Sequence, residues 1–220
     1  MEAISADGLR KSYGGVTILD GATLTLEEGH RAVIYGPTGC GKTTLLYILA
    51  GLARSESGKV RLFGAPASGN GVFLQPEERG LGVVFQKAVL WPHMTAAQNV
   101  EFALYALRLP RSERKRRAME TLECFGAADL AMRRPETLSG GQAQRIALAR
   151  SIAARPRLLL WDEPFTGLDC TSRDAAARAA REYMERTNTT LLAVSHHRED
   201  AEALGAAVVL LKEGRLEAQS

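Results

Sequence analysis

The sequence predicts an α/β protein in which helices cover a mostly parallel β-sheet and an α-helical subdomain is inserted between its strands. Two observations support this prediction. Short apolar runs alternate with helical segments near both ends of the chain, whereas residues 95–135 contain helical patterns only. The 220 residues, 45% hydrophobic and 24% charged, are typical of a globular protein rather than a disordered one.

The N-terminal third shows strand patterns punctuated by glycine and proline. Its predicted elements are strands at Thr23–Leu26 and Arg31–Tyr35, a helix at Lys42–Ala50, strands at Lys59–Phe63 and Leu81–Phe85, and a loop at Gly64–Gly80. The predicted helices of the middle region are Ala96–Leu107, Ser112–Phe125 with Ser112 as its cap, and Ala127–Met132.

The C-terminal third returns to alternation between helix and strand. Its predicted elements are helix Gly140–Ala154, strand Arg157–Trp161, helix Ser172–Arg186, strand Thr189–Val194, helix Arg198–Leu204 and strand Ala206–Leu211. Strands separated by helices pair in parallel and are covered on both faces, which is the basis of the predicted fold class.

One segment matches the phosphate-binding pattern G-x-x-x-x-G-K-[ST] at every fixed position: Gly36, Pro37, Thr38, Gly39, Cys40, Gly41, Lys42 and Thr43. It follows a predicted strand and opens a predicted helix. Its glycines allow backbone N–H groups to face one anion, and the helix N-terminus adds partial positive charge. Lys42 would contact the β- and γ-phosphates and Thr43 would bind Mg²⁺, so the segment predicts nucleotide binding.

A second candidate anion site precedes the helix predicted at Gly140–Ala154. Ser139 is a suitable N-cap, and Gly140 and Gly141 allow an anion to approach the N–H groups of the first turn. An ordinary capped helix after a turn is the interpretation that these residues alone favour, and an anion site is the alternative that the phosphate loop elsewhere in the chain raises.

Two adjacent carboxylates end the predicted strand Arg157–Trp161. Asp162 is a candidate Mg²⁺ ligand, acting through water, and Glu163 is a candidate base for water attacking a γ-phosphate. A solvated acidic turn is the alternative, but the phosphate loop in the same chain favours the catalytic interpretation.

These motifs, in this order, resemble those of the ATP-binding cassette (ABC) family, the nucleotide-binding subunits of transporters. Gly36–Thr43 resembles the Walker A motif, Leu138–Gln142 the family signature, and Leu158–Glu163 the Walker B motif. The other matching positions are Tyr13 for the adenine-stacking aromatic residue, Gln86 for the Q-loop, Gly167–Asp169 for the D-loop and His196 for the switch histidine.

The resemblance implies a P-loop NTPase core with a mostly parallel sheet, an N-terminal antiparallel β part and the inserted α-helical subdomain. It implies one ABC ATPase domain over residues 1–220. Residues 1–87 and 156–220 would form the RecA-like core with its β subdomain, and residues from about 88 to 155 the helical subdomain with the signature.

The resemblance also assigns roles to individual residues, with ATP and Mg²⁺ as the expected cofactors. The expected catalytic residues are Glu163, His196, Gln86 and Lys42, and the expected metal ligands are Thr43, Gln86 and Asp162. The expected ATP contacts are Tyr13, Val16, Gly36, Pro37, Thr38, Gly39, Cys40, Gly41, Lys42, Thr43, Thr44, Gln86, Ser139, Gly140, Gly141, Gln142 and Asp169.

Cassettes of this family dimerise head to tail, so the resemblance implies two composite ATP sites in a homodimer or in a pair with a related cassette. Further expected partners are transmembrane permease subunits and a substrate-binding protein, because Leu90–Thr95 resembles stand-alone ATPase subunits of bacterial importers. We therefore expect a peripheral protein on the cytoplasmic face of the inner membrane, cytosolic when isolated. The N-terminus lacks signal-peptide features, in agreement with this location.

Three alternatives stay open: an exporter, a cassette that regulates a membrane partner without transport, and a DNA-repair or chromosome ATPase. The last class needs a long coiled coil before the signature, and residues 44–137 contain no sustained heptads. The net charge is only +3, and we interpret the basic run Arg111–Arg117 as a solvated helix face, with proximity to membrane headgroups as the alternative. We therefore expect no nucleic-acid partner.

Overall fold

The computed structural model describes residues 1–218, which form two β-sheets with helices between and beside them. The strands are β1 (Glu2–Tyr13), β2 (Val16–Glu27), β3 (Arg31–Tyr35), β4 (Ser57–Leu62), β5 (Ala65–Gly69), β6 (Val72–Phe73), β7 (Gly82–Val84), β8 (Leu158–Asp162), β9 (Thr190–Ser195), β10 (Ala207–Lys212) and β11 (Arg215–Ala218). The α-helices are α1 (Lys42–Ala50), α2 (Ala96–Phe102), α3 (Arg111–Cys124), α4 (Gly140–Ala153), α5 (Cys170–Thr187) and α6 (Glu199–Leu204).

The larger sheet has the strand order β11-β10-β3-β9-β8-β7 within the described residues. Its strands are parallel except for β11, which pairs antiparallel with β10. The smaller sheet, β2-β1-β4-β5-β6, is antiparallel throughout. The predicted fold class is therefore confirmed, including its N-terminal antiparallel part.

Strand β8 shows why the central strands are apolar along most of their length. Leu158 and Leu160 face the core around α1, between the two sheets, whereas Leu159 and Trp161 face the core formed with the other helices. Because side chains alternate between the two faces, a strand buried on both faces has no solvent-exposed position. The Trp161 indole Nε1 donates to Ser151 Oγ at 3.2 Å and thereby ties β8 to α4.

The carboxyl ends of β3, β9 and β8 lie together at one edge of the larger sheet. In the parallel register Tyr35 pairs with Ser195, and Asp162 pairs with Val194. The segments that follow these three strands therefore meet at this edge, which is where open α/β sheets bind ligands.

The N-terminal region contains more strand than the sequence predicts. Residues 64–80, predicted to be a loop, include β5, β6 and a 3₁₀ turn at Pro76–Glu78. Alanine, proline and glycine have low strand propensity, so pairing with β4 outweighs the local preference here. The long strand β1 and the terminal strand β11 were also not predicted individually.

The helical region differs from prediction mainly at helix ends. The predicted helix 96–107 divides into α2 and a 3₁₀ turn at Tyr105–Leu107, and the predicted helix 127–132 is only a 3₁₀ turn at Ala128–Leu130. Ser112 does not cap α3, because the helix already begins at Arg111 and Pro110 occupies the N-cap position. Within residues 1–218, none of the helices combines the length and the hydropathy needed to cross a lipid bilayer.

Candidate functional site

The phosphate loop connects the central strand β3 to α1 and depends on two glycines that admit no side chain. A Cβ atom at Gly36 would lie 2.6 Å from the carbonyl oxygen of Leu211 and 2.8 Å from the Sγ of Cys40. Gly41 has φ of 105°, and a Cβ atom there would lie 2.9 Å from Ile18. The loop can curl because glycine has no Cβ atom: nothing clashes with Leu211, Cys40 or Ile18, and the positive φ of Gly41 carries no steric penalty.

Lys42 stabilises this curl from within the loop. Its Nζ donates to the carbonyl oxygens of Gly36 at 2.7 Å and Pro37 at 3.0 Å, and the residue is only 7% exposed. An ammonium group has three donors, so one remains for a ligand in the cleft. Lys42 thus presents a preorganised positive charge beside the N-terminus of α1, which favours anions.

Thr43 and Asp162 come together from α1 and the end of β8. The Thr43 hydroxyl donates to Asp162 Oδ1 at 3.1 Å. Asp162 Oδ2 is buried and has no hydrogen-bond partner among the described residues. An unpaired buried carboxylate oxygen is costly, and hard oxygen donors are the ligands that Mg²⁺ prefers. These two side chains therefore fit a magnesium ion that also binds water or phosphate.

The pKa of Asp162 is raised to about 6 because burial disfavours the charged carboxylate. The hydrogen bond from Thr43 lowers the pKa, but by less than burial raises it. A bound divalent cation favours the ionised carboxylate and would reverse this shift. The electrostatics of this strand end thus agree with a cation site.

Glu163 and His196 form a second pair at the same edge of the sheet. His196 Nδ1 lies 2.7 Å from Glu163 Oε2. Glu163 has φ of 47°, which is uncommon for a residue with a side chain, and its N–H donates to the Val194 carbonyl at 3.0 Å. Such backbone strain is concentrated at functional sites. His196 and the adjacent His197 are both exposed, and their rings lie 3.9 Å apart between centroids at an angle of 44°.

Of these residues, Lys42, Thr43, Glu163 and His196 line one cleft of about 340 Å³, whereas Asp162 and His197 do not. Its lining residues are Tyr13, Ile18, Thr38, Gly39, Gly41, Lys42, Thr43, Thr44, Gln86, Glu163 and His196. The structure therefore brings together the strand-end carboxylate, the histidine, the phosphate loop and Gln86.

At the outer end of the cleft, Tyr13 is 52% exposed and available for stacking. Ile18, rather than the expected Val16, lines the cleft there. Sequence reasoning missed Ile18, which lies at a register shift between β1 and β2 where Lys11 pairs with Leu19 and Ser12 with Thr17. Cys40 also does not line the cleft, since its Sγ lies beside Gly36.

The signature residues do not line this cleft. Ser139 caps α4 by accepting from the Gln142 N–H at 3.3 Å, and Gln142 Oε1 accepts from the Ser139 N–H at 3.0 Å. Ser139 and Gly140 are exposed, so this helix start is open to a ligand from outside the chain. The first-turn N–H groups of a helix have no intrahelical acceptor.

Asp169 also lies outside the cleft, where it caps α5. It accepts from the N–H of Ser172 at 2.9 Å and from its hydroxyl at 2.8 Å. These hydrogen bonds lower the pKa of Asp169, with the backbone bond making the largest contribution.

The P-loop NTPase class is defined by a glycine-rich loop between a central parallel strand and a helix. In this class the lysine and threonine of the loop lie beside a strand that ends in an acidic residue. Within this class the chain belongs to the ABC transporter family, whose family model matches residues 19–166. The resemblance inferred from the sequence motifs is thereby confirmed.

Two relatives illustrate the match. The chain is 39% identical over 217 residues to the sn-glycerol-3-phosphate import ATP-binding protein UgpC 2 of Agrobacterium fabrum, which covers 99% of this chain and 57% of that protein. It is 37% identical over 213 residues to the Fe(3+) ions import ATP-binding protein FbpC of Rhizobium etli, which covers 97% of this chain and 59% of that protein. The chain thus spans less than two thirds of the length of these relatives.

Two solved structures with the same fold are ABC cassettes. The post-hydrolysis dimer of the cassette MJ0796 bound to ADP and Pi matches with a TM-score of 0.90 and 30% identity, covering 99% of this chain and 97% of that chain. A second dimeric structure of MJ0796, described as a bacterial ABC transporter cassette, matches with a TM-score of 0.89 and 31% identity.

Proposed function

We propose that this chain binds Mg-ATP in a head-to-tail dimer, hydrolyses it to ADP and phosphate, and powers the import of a substrate through separate membrane permease subunits. The observation that carries the proposal is the 2.7 Å contact between Glu163 and His196 in the cleft that also contains Lys42 and Thr43. The parts that phosphoryl transfer to water requires are a base, a phosphate-binding lysine and a metal site, and here the third is Thr43 in the cleft with Asp162 hydrogen-bonded behind it.

In this proposal each residue in and beside the cleft has a separate role in ATP hydrolysis. Lys42 and the loop N–H groups hold the β- and γ-phosphates, and Tyr13 stacks on the adenine. Thr43, Asp162 and Gln86 hold Mg²⁺, which offsets phosphate charge when it is bound. Glu163 accepts a proton from the water that attacks the γ-phosphorus, and the bond to the ADP oxygen breaks. His196 orients the Glu163 carboxylate and contacts the γ-phosphate.

The open start of α4 supports the composite site. The signature residues lie apart from the chain's own cleft; they are Ser139, Gly140, Gly141 and Gln142. They would therefore bind the nucleotide held by a second subunit, and Asp169 would lie at the interface between the subunits. The MJ0796 structures, described as dimeric, support this arrangement. Two identical chains related by a two-fold axis would form two equivalent sites.

An exposed aromatic patch on the helical region supports docking to a membrane partner. The patch consists of Trp91, Phe102 and Tyr105, of which Trp91 and Phe102 have ring centroids 4.4 Å apart. Its loop is ordered by buried Asn99, whose Oδ1 accepts from the Trp91 N–H at 2.7 Å. Large exposed aromatic surface on an ordered loop is characteristic of interfaces. Attachment there would hold the protein on the cytoplasmic face of the inner membrane.

The direction of transport rests on the relatives, which are named import proteins. Their substrates differ, yet they match this chain at 39% and 37% identity, so similarity in the cassette carries no information on the substrate. A permease and a substrate-binding protein would select it. Two alternatives to an import protein use the same hydrolytic residues. One is an exporter, and the other is a cassette that regulates a membrane partner.

Sedimentation of the Glu163→Gln variant with and without Mg-ATP tests the composite site. The amide cannot accept the proton, so ATP should persist and convert the monomer to a dimer. Adding Ser139→Arg should abolish the dimer while ATP stays bound. A Glu163→Gln chain that binds ATP and remains monomeric would contradict dimerisation of the isolated chain through the signature.

Replacement of Trp91 and Tyr105 by serine tests the membrane partner separately. This variant should lose co-purification with membrane proteins from its native membrane and retain ATP-driven dimerisation in the Glu163→Gln background. Unchanged co-purification would exclude the aromatic patch as the docking surface.

A further inference from the structure

Behind His196 lies a chain of buried polar contacts that the proposed reaction does not use. The hydroxyl of Ser195 accepts from the backbone N–H of His197 at 2.9 Å and donates to Asp200 Oδ2. Ser195 is fully buried, and Asp200 is 3% exposed. Because Ser195 bonds to the residue on the far side of His196, it constrains the backbone that carries the histidine.

Asp200 in turn is held by Arg173, which lies on α5. The Nε and Nη2 atoms of Arg173 donate to Asp200 Oδ1 at 2.9 Å and 2.6 Å. Both carboxylate oxygens of Asp200 are thus occupied, one by Arg173 and one by Ser195. Asp200 is buried and Arg173 is partly buried, and removal of Arg173 leaves the Asp200 carboxylate as an uncompensated buried charge.

Arg173 also connects this pair to the start of α5. Its backbone N–H donates to the carbonyl oxygen of Asp169 at 2.8 Å, in the first turn of the helix that Asp169 caps. The contacts therefore run without a gap from Asp169 through Arg173, Asp200 and Ser195 to the turn at His196. His196 lies against Glu163 at the other end.

We infer that Arg173 and Asp200 are positioning residues for His196, and that they make its position depend on the start of α5. This inference rests on the proposed function, because it assigns them a part in ATP hydrolysis. Neither residue lines the nucleotide cleft, so their loss affects the chemical step without direct loss of nucleotide contacts. Misplacement of a catalytic group by about 1 Å lowers the rate by about 100-fold.

Single-turnover hydrolysis of radiolabelled ATP by the full chain tests the inference. Arg173→Ala and Asp200→Asn should each lower the hydrolysis rate by about 10- to 100-fold, whereas the dissociation constant for ATP should stay within about 3-fold of the wild-type value. Arg181→Ala is the matched control, because Arg181 lies on the same helix and forms an exposed ion pair with Glu185 at 2.9 Å. It should leave the rate unchanged.

A second readout separates positioning from general destabilisation. In the His196→Ala background, Arg173→Ala and Asp200→Asn should cause no further loss of rate, because the residue they position is absent. An equal loss in both backgrounds would overturn the inference, and so would a normal rate in either single variant. Asp200→Asn retains the side-chain volume, and normalising the rate to bound ATP removes any unfolded fraction.

The two hypotheses fail in different ways. Absence of ATP hydrolysis by the wild-type chain would contradict the proposed function itself. Hydrolysis by the wild-type chain with unaffected Arg173 and Asp200 variants would overturn only the positioning role.

Discussion

Glu163 Oε2 lies 2.7 Å from His196 Nδ1, although 33 residues separate them in the chain. The contact exists because β8 and β9 are parallel neighbours whose carboxyl ends are nearly level, with Asp162 paired to Val194. Glu163 and His196 are each the first residue beyond their strand, so the sheet register itself brings the carboxylate and the imidazole together.

This contact predicts that the two neighbouring histidines differ in function. His196→Ala should lower kcat for ATP hydrolysis by about 100-fold or more, because Glu163 loses the group that orients it. His197→Ala is the matched control, since His197 is exposed like His196 but does not line the cleft. Steady-state phosphate release should show this difference, and similar losses in both variants would contradict the assignment of His196.

Lys42 should determine nucleotide affinity. Lys42→Ala removes a charged donor from the loop and the two bonds that hold the Gly36 and Pro37 carbonyls. A hydrogen bond to a charged group contributes about 1.5 to 3 kcal/mol, so affinity should fall by about 10- to 150-fold. Titration with a fluorescent ATP analogue measures this change. Lys59→Ala, which removes an exposed lysine paired with Asp7, should bind ATP normally.

Asp162 should make the ion-free protein less stable as the pH rises. Its pKa in the folded chain is about 6, above the ordinary value of 3.8, so its protonated form is favoured by folding. This contribution is fully present below about pH 4 and is lost as the pH rises through about 6, at a cost of at most about 3 kcal/mol.

Asp162→Asn removes this titration. Without nucleotide, the variant should therefore unfold at a higher temperature than the wild type above pH 6, with the difference shrinking towards pH 4. Mg-ATP should raise the melting temperature of the wild type and not of the variant, because the metal ligand is lost. Asp174→Asn, at an exposed position, should match the wild type in both conditions. A wild type whose stability without nucleotide is constant from pH 4 to 8 would contradict this account.

The two signature glycines should respond differently to alanine. A Cβ atom at Gly140 meets nothing within 4 Å, whereas one at Gly141 would lie 2.8 Å from the Gly167 carbonyl oxygen. Gly140→Ala should keep the thermal stability of the monomer but weaken ATP-driven dimerisation of the Glu163→Gln chain, because the methyl group occupies the open helix start. Gly141→Ala should lower the melting temperature of the monomer itself. Equal melting temperatures for the two variants would contradict this difference in packing.

The sequence pattern predicted the bounds of a strand or helix correctly where residues close along the chain decide the local conformation. The observed bounds of β3 and α1 equal the predicted ones, because an apolar run ending at Gly36 and a helix opening at Lys42 are both set by nearby residues. The site motifs were likewise visible, since each is a contiguous segment. Helix ends were less predictable. Buried Leu104 fits a continuous helix as well as a 3₁₀ turn, so its apolar character could not distinguish the two.

The sequence by itself determined the phosphate loop, the capped start of the signature helix and the alternation of strands and helices around them, because these depend on residues close along the chain. Only the tertiary structure decided that Asp162 Oδ2 is buried without a partner among the described residues, that Ile18 rather than Val16 lines the cleft, and that Arg173 reaches Asp200. These features depend on sheet register and helix packing between distant segments. No local pattern encodes the distance between two such side chains, because it is the sum of many packing contacts across the core.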